Sequence, residues 1–126
     1  MNSATLVMLL AFVSGSAGAE WFEFGRNENF TGYIDSASVS RAGNLVRVST
    51  LIDYRAVNTN AGKKYVSVKA QHEFDCGEGQ ARKLFTSLHS KNMGKGEIVS
   101  YSYKTDVFEP IQPFSILEAI WKIACG

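Results

Sequence analysis

Two segments in the middle of the chain alternate between apolar and polar residues. In residues 45–54, Val46 begins a series in which every second side chain is apolar or a threonine. Residues 64–76 alternate in the same way, and His72 and Cys76 fall on their apolar side. A period of two residues is typical of a β-strand with one buried face. The pattern predicts two strands that share a core.

Further strands are predicted before and after this pair, at residues 21–24, 34–39, 81–89 and 97–104. Turns rich in Gly and Asn separate them, at residues 41–44, 58–62, 77–79 and 92–96. The turn at 41–44 is expected to bring residues 45–54 alongside residues 34–39 as a hairpin. The sequence therefore predicts an antiparallel sheet of about six strands, covered on one face.

The end of the chain is expected to supply the cover. Ser115 and Glu118 have the spacing of a capping box, which predicts a helix over residues 116–124 with Gly126 after its end. On this helix we expect the sheet to contact Ile116, Ile120 and Ile123. Cys125 then lies off the buried side of the helix, so a disulfide with Cys76 requires either a loosened last turn or a curled sheet. The fold class is α+β.

Composition fits one small domain and shows no charge bias toward a nucleic-acid partner. The chain has 126 residues, 45% hydrophobic and 20% charged, and no linker divides it. Its formal net charge of +1 argues against a nucleic-acid partner, which requires many cations to neutralise phosphates.

Residues 1–19 have the features of an export signal. An apolar stretch over residues 5–13 is followed by Ala17-Gly18-Ala19, a typical cleavage sequence. The stretch is too short for a comfortable membrane span, and no Cys follows it for a lipid anchor. We expect residues 20–126 to be a single exported domain in the periplasm, at the cell surface or secreted, with no transmembrane segment in the mature form.

The two cysteines, Cys76 and Cys125, are expected to form a disulfide, because an even pair in a small exported domain is usually oxidised. Two free thiols or a metal pair are the alternatives, but neither a C-x-x-C spacing nor clustered histidines accompany the cysteines. The bridge closes a loop of about 50 residues and contributes roughly 4 kcal/mol in the chain-entropy model.

Candidates for catalysis are few. His72 and His89 are the only side chains that titrate near neutral pH. His72 stands beside Glu73 and Asp75, but strand alternation sends both carboxylates to the other face. We interpret His72 as a core or rim residue and His89 as a solvated residue at a loop edge. The sequence predicts no enzyme, no catalytic residues, no metal site and no cofactor, and it leaves the binding residues unknown.

Two groups of side chains are candidates for an interaction surface. Tyr101 and Tyr103 share a strand face with Val99 and form either a core or an exposed strip; we favour the core. Seven basic residues lie near predicted turns and form either a patch for sulfated glycans or an acidic partner, or a solvated surface, which we favour: Lys63, Lys64, Arg82, Lys83, Lys91, Lys95 and Lys104.

The order of landmarks along the chain resembles the surface-adhesin protein E family. The landmarks are Trp21, Tyr33-Ile34-Asp35, residues 41–44, residues 51–54, Phe74-Asp75-Cys76, Arg82, Met93-Gly94-Lys95-Gly96, Pro113, Trp121 and Cys125. The resemblance implies an antiparallel sheet of about six strands with a C-terminal helix tethered by a disulfide. It also implies an adhesin for host extracellular-matrix or serum proteins, acting as a homodimer. Ser49 departs from the aromatic residue expected in relatives.

We therefore expect an exported, non-enzymatic, adhesin-like protein that recognises a protein partner through a sheet face, an edge strand or loops. One alternative is a small periplasmic inhibitor or envelope-stress protein that acts on a bacterial enzyme through residues 58–64. A more distant alternative is a hydrolase that uses His72.

Overall fold

A computed structural model describes residues 19–126. Residues 1–18 of the predicted export signal lie outside the described residues. The described part contains eight strands and one α-helix: β1 Trp21–Arg26, β2 Phe30–Asp35, β3 Ser40–Ala42, β4 Leu45–Asn60, β5 Lys63–Asp75, β6 Gln80–His89, β7 Ile98–Ser102, β8 Glu109–Pro110 and α1 Ile116–Cys125. None of the helices in residues 19–126 has the length and apolar character needed to cross a membrane.

The strands form one antiparallel sheet. Six of them follow the order β1-β2-β4-β5-β6-β7, β3 pairs with β4, and β8 pairs with β6. The predicted sheet of about six strands with a C-terminal helix is confirmed, and the two extra strands are only three and two residues long. The longest pairing joins β4 to β5, the two strands with the clearest alternation in the sequence.

The strand predicted over residues 34–39 is placed too late. β2 ends at Asp35, and residues Ser36–Ser38 form a 3₁₀ turn before the chain enters β3. The Asp35 carboxylate accepts a hydrogen bond from the amide of Ala37 at 3.0 Å, which caps this turn. Both β2 and β3 still pair with β4, so the predicted neighbour is correct although the boundaries are not.

The core lies between the sheet and α1. Val46, Val48 and Phe74 are fully buried, and Ile120 of the helix is 1% exposed. Ile34, Ala81 and Ala124 complete this cluster of buried side chains. The alternation read from the sequence therefore assigned the core faces of β4 and β5 correctly.

The start of α1 forms one half of the predicted capping box. Ser115 Oγ accepts from the amide of Glu118 at 3.1 Å, but the Glu118 carboxylate accepts from the amide of Phe114, one residue before the cap, at 3.1 Å. At the other end, the amide of Gly126 donates to the carbonyl of Lys122 at 3.1 Å. These contacts satisfy backbone groups that would otherwise lack partners.

The predicted buried side of α1 is wrong. Ile120 contacts the core, but Ile116 and Ile123 are 43% and 52% exposed. The side chains packed on the core are Leu117, Ile120, Trp121 and Ala124. At 100° per residue, this stripe is rotated by roughly 80° from the predicted one.

The rotation explains how Cys125 reaches Cys76. Cys125 lies at the edge of the observed stripe, so the bridge forms while the helix stays regular to its last residue. The Cα atoms of the two cysteines are 5.7 Å apart, within the usual range for a disulfide. The predicted bridge is confirmed, and the loosened last turn is not needed.

The face of the sheet opposite α1 is also covered in part, which the sequence did not predict. The segment between β6 and β7 folds back over β4 and β5. Asp53 accepts from the amide of Met93 at 2.8 Å and from Asn92 Nδ2 at 3.0 Å. Ser67 Oγ accepts from the amide of Gly94 at 2.9 Å. Alternation places Leu51 on the face opposite the apolar series, which was expected to face water, but under this segment Leu51 is fully buried.

Candidate functional site

His72 lies on the helix side of the sheet. Burial, and secondarily the nearby charge of Lys83, lowers its pKa to about 4, so the ring is neutral at pH 7. The adjacent carboxylates are occupied elsewhere, since Glu73 binds two arginines and Asp75 accepts from the amide of Glu78 at 3.2 Å. The arrangement of His72 with two carboxylates is thus absent from the geometry, as alternation predicted.

His89 is buried, with 4% exposure, so the expected solvated histidine is wrong. Its Nε2 atom lies 2.7 Å from Ser87 Oγ, and its Nδ1 atom has no hydrogen-bond partner in the described part of the chain. Burial lowers the pKa of His89, and Lys69 adds to the effect. Because Ser87 is only 2% exposed, this Ser–His pair is not open to a substrate.

Glu73 joins three strands through two ion pairs. Its side chain is 3% exposed and contacts Arg47 Nε at 2.8 Å and Arg82 Nη2 at 2.7 Å. Burial alone raises the pKa of Glu73, but hydrogen bonds from both arginines outweigh it and keep the pKa below its ordinary value. Arg82 also lies over the ring of Phe108, 4.3 Å from its centroid. This cluster holds the segment after β7 against the sheet.

Three of the seven basic residues that lie near predicted turns line one cleft. Arg82, Lys83 and Lys104 line a space of about 620 Å³ between β6, the segment leading to β8 and the start of α1. Asp106 and Glu109 line the same cleft, and Arg82 is already paired with Glu73. The cleft is therefore close to electrically balanced, which fits the solvated surface favoured from the sequence.

The segment 58–64, a candidate inhibitory loop, is the end of the β4–β5 hairpin. Asn58 to Asn60 pair with Tyr65 to Lys63 in regular antiparallel register. The turn consists of Ala61 and Gly62, both with positive φ, at 51° and 79°. The backbone of this segment is a two-residue hairpin rather than an open loop.

The most exposed aromatic group of the sheet is on β7 and just beyond it. Tyr101 and Tyr103 are 62% and 71% exposed, so the core placement favoured from the sequence is wrong. Their ring centroids are 5.3 Å apart, and Tyr103 lies 4.8 Å from Phe85 of β6. We call these three residues the aromatic cluster. Tyr101 pairs with Ser87, Ser87 with Lys69 and Lys69 with Leu51, so the cluster lies on the face opposite α1.

The aromatic cluster adjoins a sheet edge. β7 pairs with β6 on one side and, within residues 19–126, with no strand on the other. Its outer backbone groups can therefore accept an additional strand. Sequence reasoning missed Phe85 as a member of this surface. The available signal was the i, i+2 spacing of Tyr101 and Tyr103 in the last long strand, where an outer neighbour is not assured.

The comparisons with known proteins agree with this architecture. Residues 21–126 match the family model for surface-adhesin protein E. The sequence matches no curated protein.

The fold is similar to solved structures of Haemophilus influenzae protein E. One has 17% sequence identity and a TM-score of 0.64, over 87% of this chain and 86% of that chain. A second crystal form has 14% identity and a TM-score of 0.60, over 86% of this chain and 96% of that chain. Protein E from non-typeable Haemophilus influenzae has 17% identity and a TM-score of 0.59, over 87% and 78% of the two chains. Because the family model spans nearly all of the described residues, the chain belongs to the surface-adhesin protein E family.

Proposed function

We propose that this chain is an exported, non-enzymatic, adhesin-like protein that binds a protein partner through the aromatic cluster and the adjoining edge of β7. The main support for this proposal is the cluster itself, in which three rings are in contact and two of them are more than half exposed. The cluster lies beside β7, which has an unpaired side in the described part of the chain. Membership in a family of surface adhesins supports the same function.

Physical chemistry favours this surface for a protein partner. Tyrosine rings contribute a large contact area at little conformational cost, and their hydroxyl groups stay compatible with water in the unbound state. Aromatic residues are enriched where binding energy concentrates at protein interfaces. An edge strand adds backbone hydrogen bonds that a partner in extended conformation can complete.

The partner classes follow from family and charge. Host extracellular-matrix or serum proteins are the proposed partners, with the protein at the cell surface or secreted after removal of residues 1–19. A net charge of +1 gives little attraction to nucleic acid. A homodimer that presents two aromatic clusters is part of the proposal, and light scattering of the purified protein tests it separately.

Binding to immobilised matrix and serum proteins tests the proposed surface. The double variant Tyr101→Ala, Tyr103→Ala should weaken binding at least about 30-fold, the effect of losing a central interface contact of about 2 kcal/mol. Phe22→Ala is the matched control, because Phe22 is 60% exposed on β1 at the opposite edge. Equal binding by wild type and the double variant would overturn the assignment of the site.

A parallel capture experiment distinguishes the alternative function, an inhibitor or envelope-stress protein. This alternative predicts capture of an enzyme from the producer's own periplasm and loss of capture when residues 58–64 are shortened. The proposed function predicts binding to host proteins that shortening the hairpin leaves unchanged. Turnover in an activity screen that His72→Ala abolishes would contradict the non-enzymatic assignment.

A further inference from the structure

The helix does not cover the whole of its sheet face. A second cavity of about 280 Å³ lies between the first half of α1 and the sheet, and we call it the helix groove. Its apolar lining is formed by Ile52, Val68, Ala70, Ile116, Leu117 and Ile120. Ile116 is 43% exposed at its wall, although it belongs to a helix packed on a core. The groove thus presents apolar surface that the protein's own side chains leave uncovered.

The helix groove also has four polar lining residues, Thr50, His72, Lys83 and Thr86. His72 and Lys83 line both the groove and the larger cleft, so the two spaces adjoin there. Among the described residues that line the groove, Lys83 has the only charged side chain, because His72 is neutral at pH 7. Lys83 and His72 are partners in the β5–β6 register, on the same face of the sheet. A mostly apolar groove with a single cation among its lining residues complements an anion that carries an apolar tail.

We propose that the helix groove binds a linear amphiphile with a single anionic head group, of the fatty-acid class, as a free monomer. The tail lies between Val68 and Leu117, and the carboxylate meets the ammonium of Lys83. The volume of the groove equals that of about nine water molecules at about 30 Å³ each, enough for a medium-length alkyl chain. Each methylene that enters the groove strengthens binding by up to about fourfold.

This site is independent of the proposed adhesive surface. The groove is on the helix side of the sheet, whereas the aromatic cluster is on the opposite side. A ligand in the groove contacts Ile116, Leu117 and Ile120 of α1 and therefore stabilises the packing of the helix. Loss of amphiphile binding would leave the binding of a protein partner unaffected, so the two proposals fail separately.

Fluorescence titration with dansyl-undecanoic acid, below its micellar concentration, tests the proposal on the purified exported protein. We expect saturable binding of one probe per chain. Decanoate should displace the probe more effectively than octanoate, and decanol should be at least about tenfold weaker than decanoate because it lacks the charge. Absence of saturable binding, or equal displacement by decanol and decanoate, would overturn the proposal. Binding only to vesicles that contain the probe would also contradict a site for free monomers.

Two pairs of variants locate the site. Lys83→Glu should weaken binding of the probe about tenfold or more, whereas Lys95→Glu, on an exposed turn, should not. Ile116→Gln should weaken binding, whereas Ile123→Gln should not, since both residues are about half exposed on α1 but only Ile116 lines the groove. Circular dichroism and thermal unfolding confirm that each variant is folded. If Lys83→Glu and Ile116→Gln bind the probe like their controls, the amphiphile does not occupy the groove.

Discussion

The two faces of the sheet are covered by different means. On one face, Ile120 of α1 belongs to the same buried cluster as Val48 and Phe74, and a disulfide fixes the end of the helix. On the other face, the segment between β6 and β7, residues 90–97, is held by hydrogen bonds to Asp53 and Ser67. Beneath it the buried side chains are Leu51, Ser67, Ser87 and His89, of which only Leu51 is apolar.

This difference separates global from local stability. Apolar burial contributes in proportion to area, and the helix face has most of it, so opening this face means unfolding the domain. A cover held by hydrogen bonds contributes less, because its partners exchange them for bonds with water when it opens. We therefore expect the segment 90–97 to open locally while the helix remains packed.

The largest effect should come from a charge in the helix-side core. Ile120→Asp places a carboxylate at a side chain that is 1% exposed and removes the core contacts of the isoleucine. We expect a loss of about 5 kcal/mol in the free energy of unfolding, measured by urea denaturation. The control Ile123→Asp, at a position 52% exposed on the same helix, should cost about 1 kcal/mol at most. Similar losses for the two variants would mean that α1 is not packed as described.

The disulfide should contribute slightly less. Cys76 and Cys125 are separated by 49 residues, and closing such a loop in the unfolded chain corresponds to about 4 kcal/mol. The double variant Cys76→Ser, Cys125→Ser should lose this amount in urea denaturation. In the native protein, neither cysteine should react with an alkylating reagent before a reductant breaks the disulfide. A double variant as stable as the wild type would show that packing alone fixes the helix.

The sequence was sufficient for features that depend on local pattern. Alternation in residues 45–54 and 64–76 gave the core faces of β4 and β5, and the Ser115–Glu118 spacing gave the start of the helix. The cysteine pair was predicted from compartment and number. Each of these signals is contained in a few neighbouring residues or in composition.

Features that depend on distant contacts could not be read from local pattern alone. The helix has only Glu118 and Lys122 as charged residues, so its apolar pattern fits several rotations about its axis. Requiring Cys125 to lie at the edge of the buried stripe would have selected the correct rotation. Leu51 was assigned to water because alternation carries no information on a segment about 40 residues later that covers it. Tyr101 and Tyr103 were placed in a core because the sequence does not show that β7 is an edge.

The smallest effect should come from the other face. Asp53→Ala removes the acceptor of the Met93 amide and of Asn92 Nδ2. We expect the free energy of unfolding to fall by about 2 kcal/mol, because the lost hydrogen bonds go to a partly exposed carboxylate. Asp53→Asn keeps an acceptor oxygen at this position and should cost less. Hydrogen exchange should accelerate most at the amides of Met93 and Gly94 in Asp53→Ala, while the amides of α1 should follow only the change in global stability, because their opening requires global unfolding. Faster exchange in α1 beyond the change in global stability would show that the two faces open together, and the comparison between a packed cover and a hydrogen-bonded one would then fail.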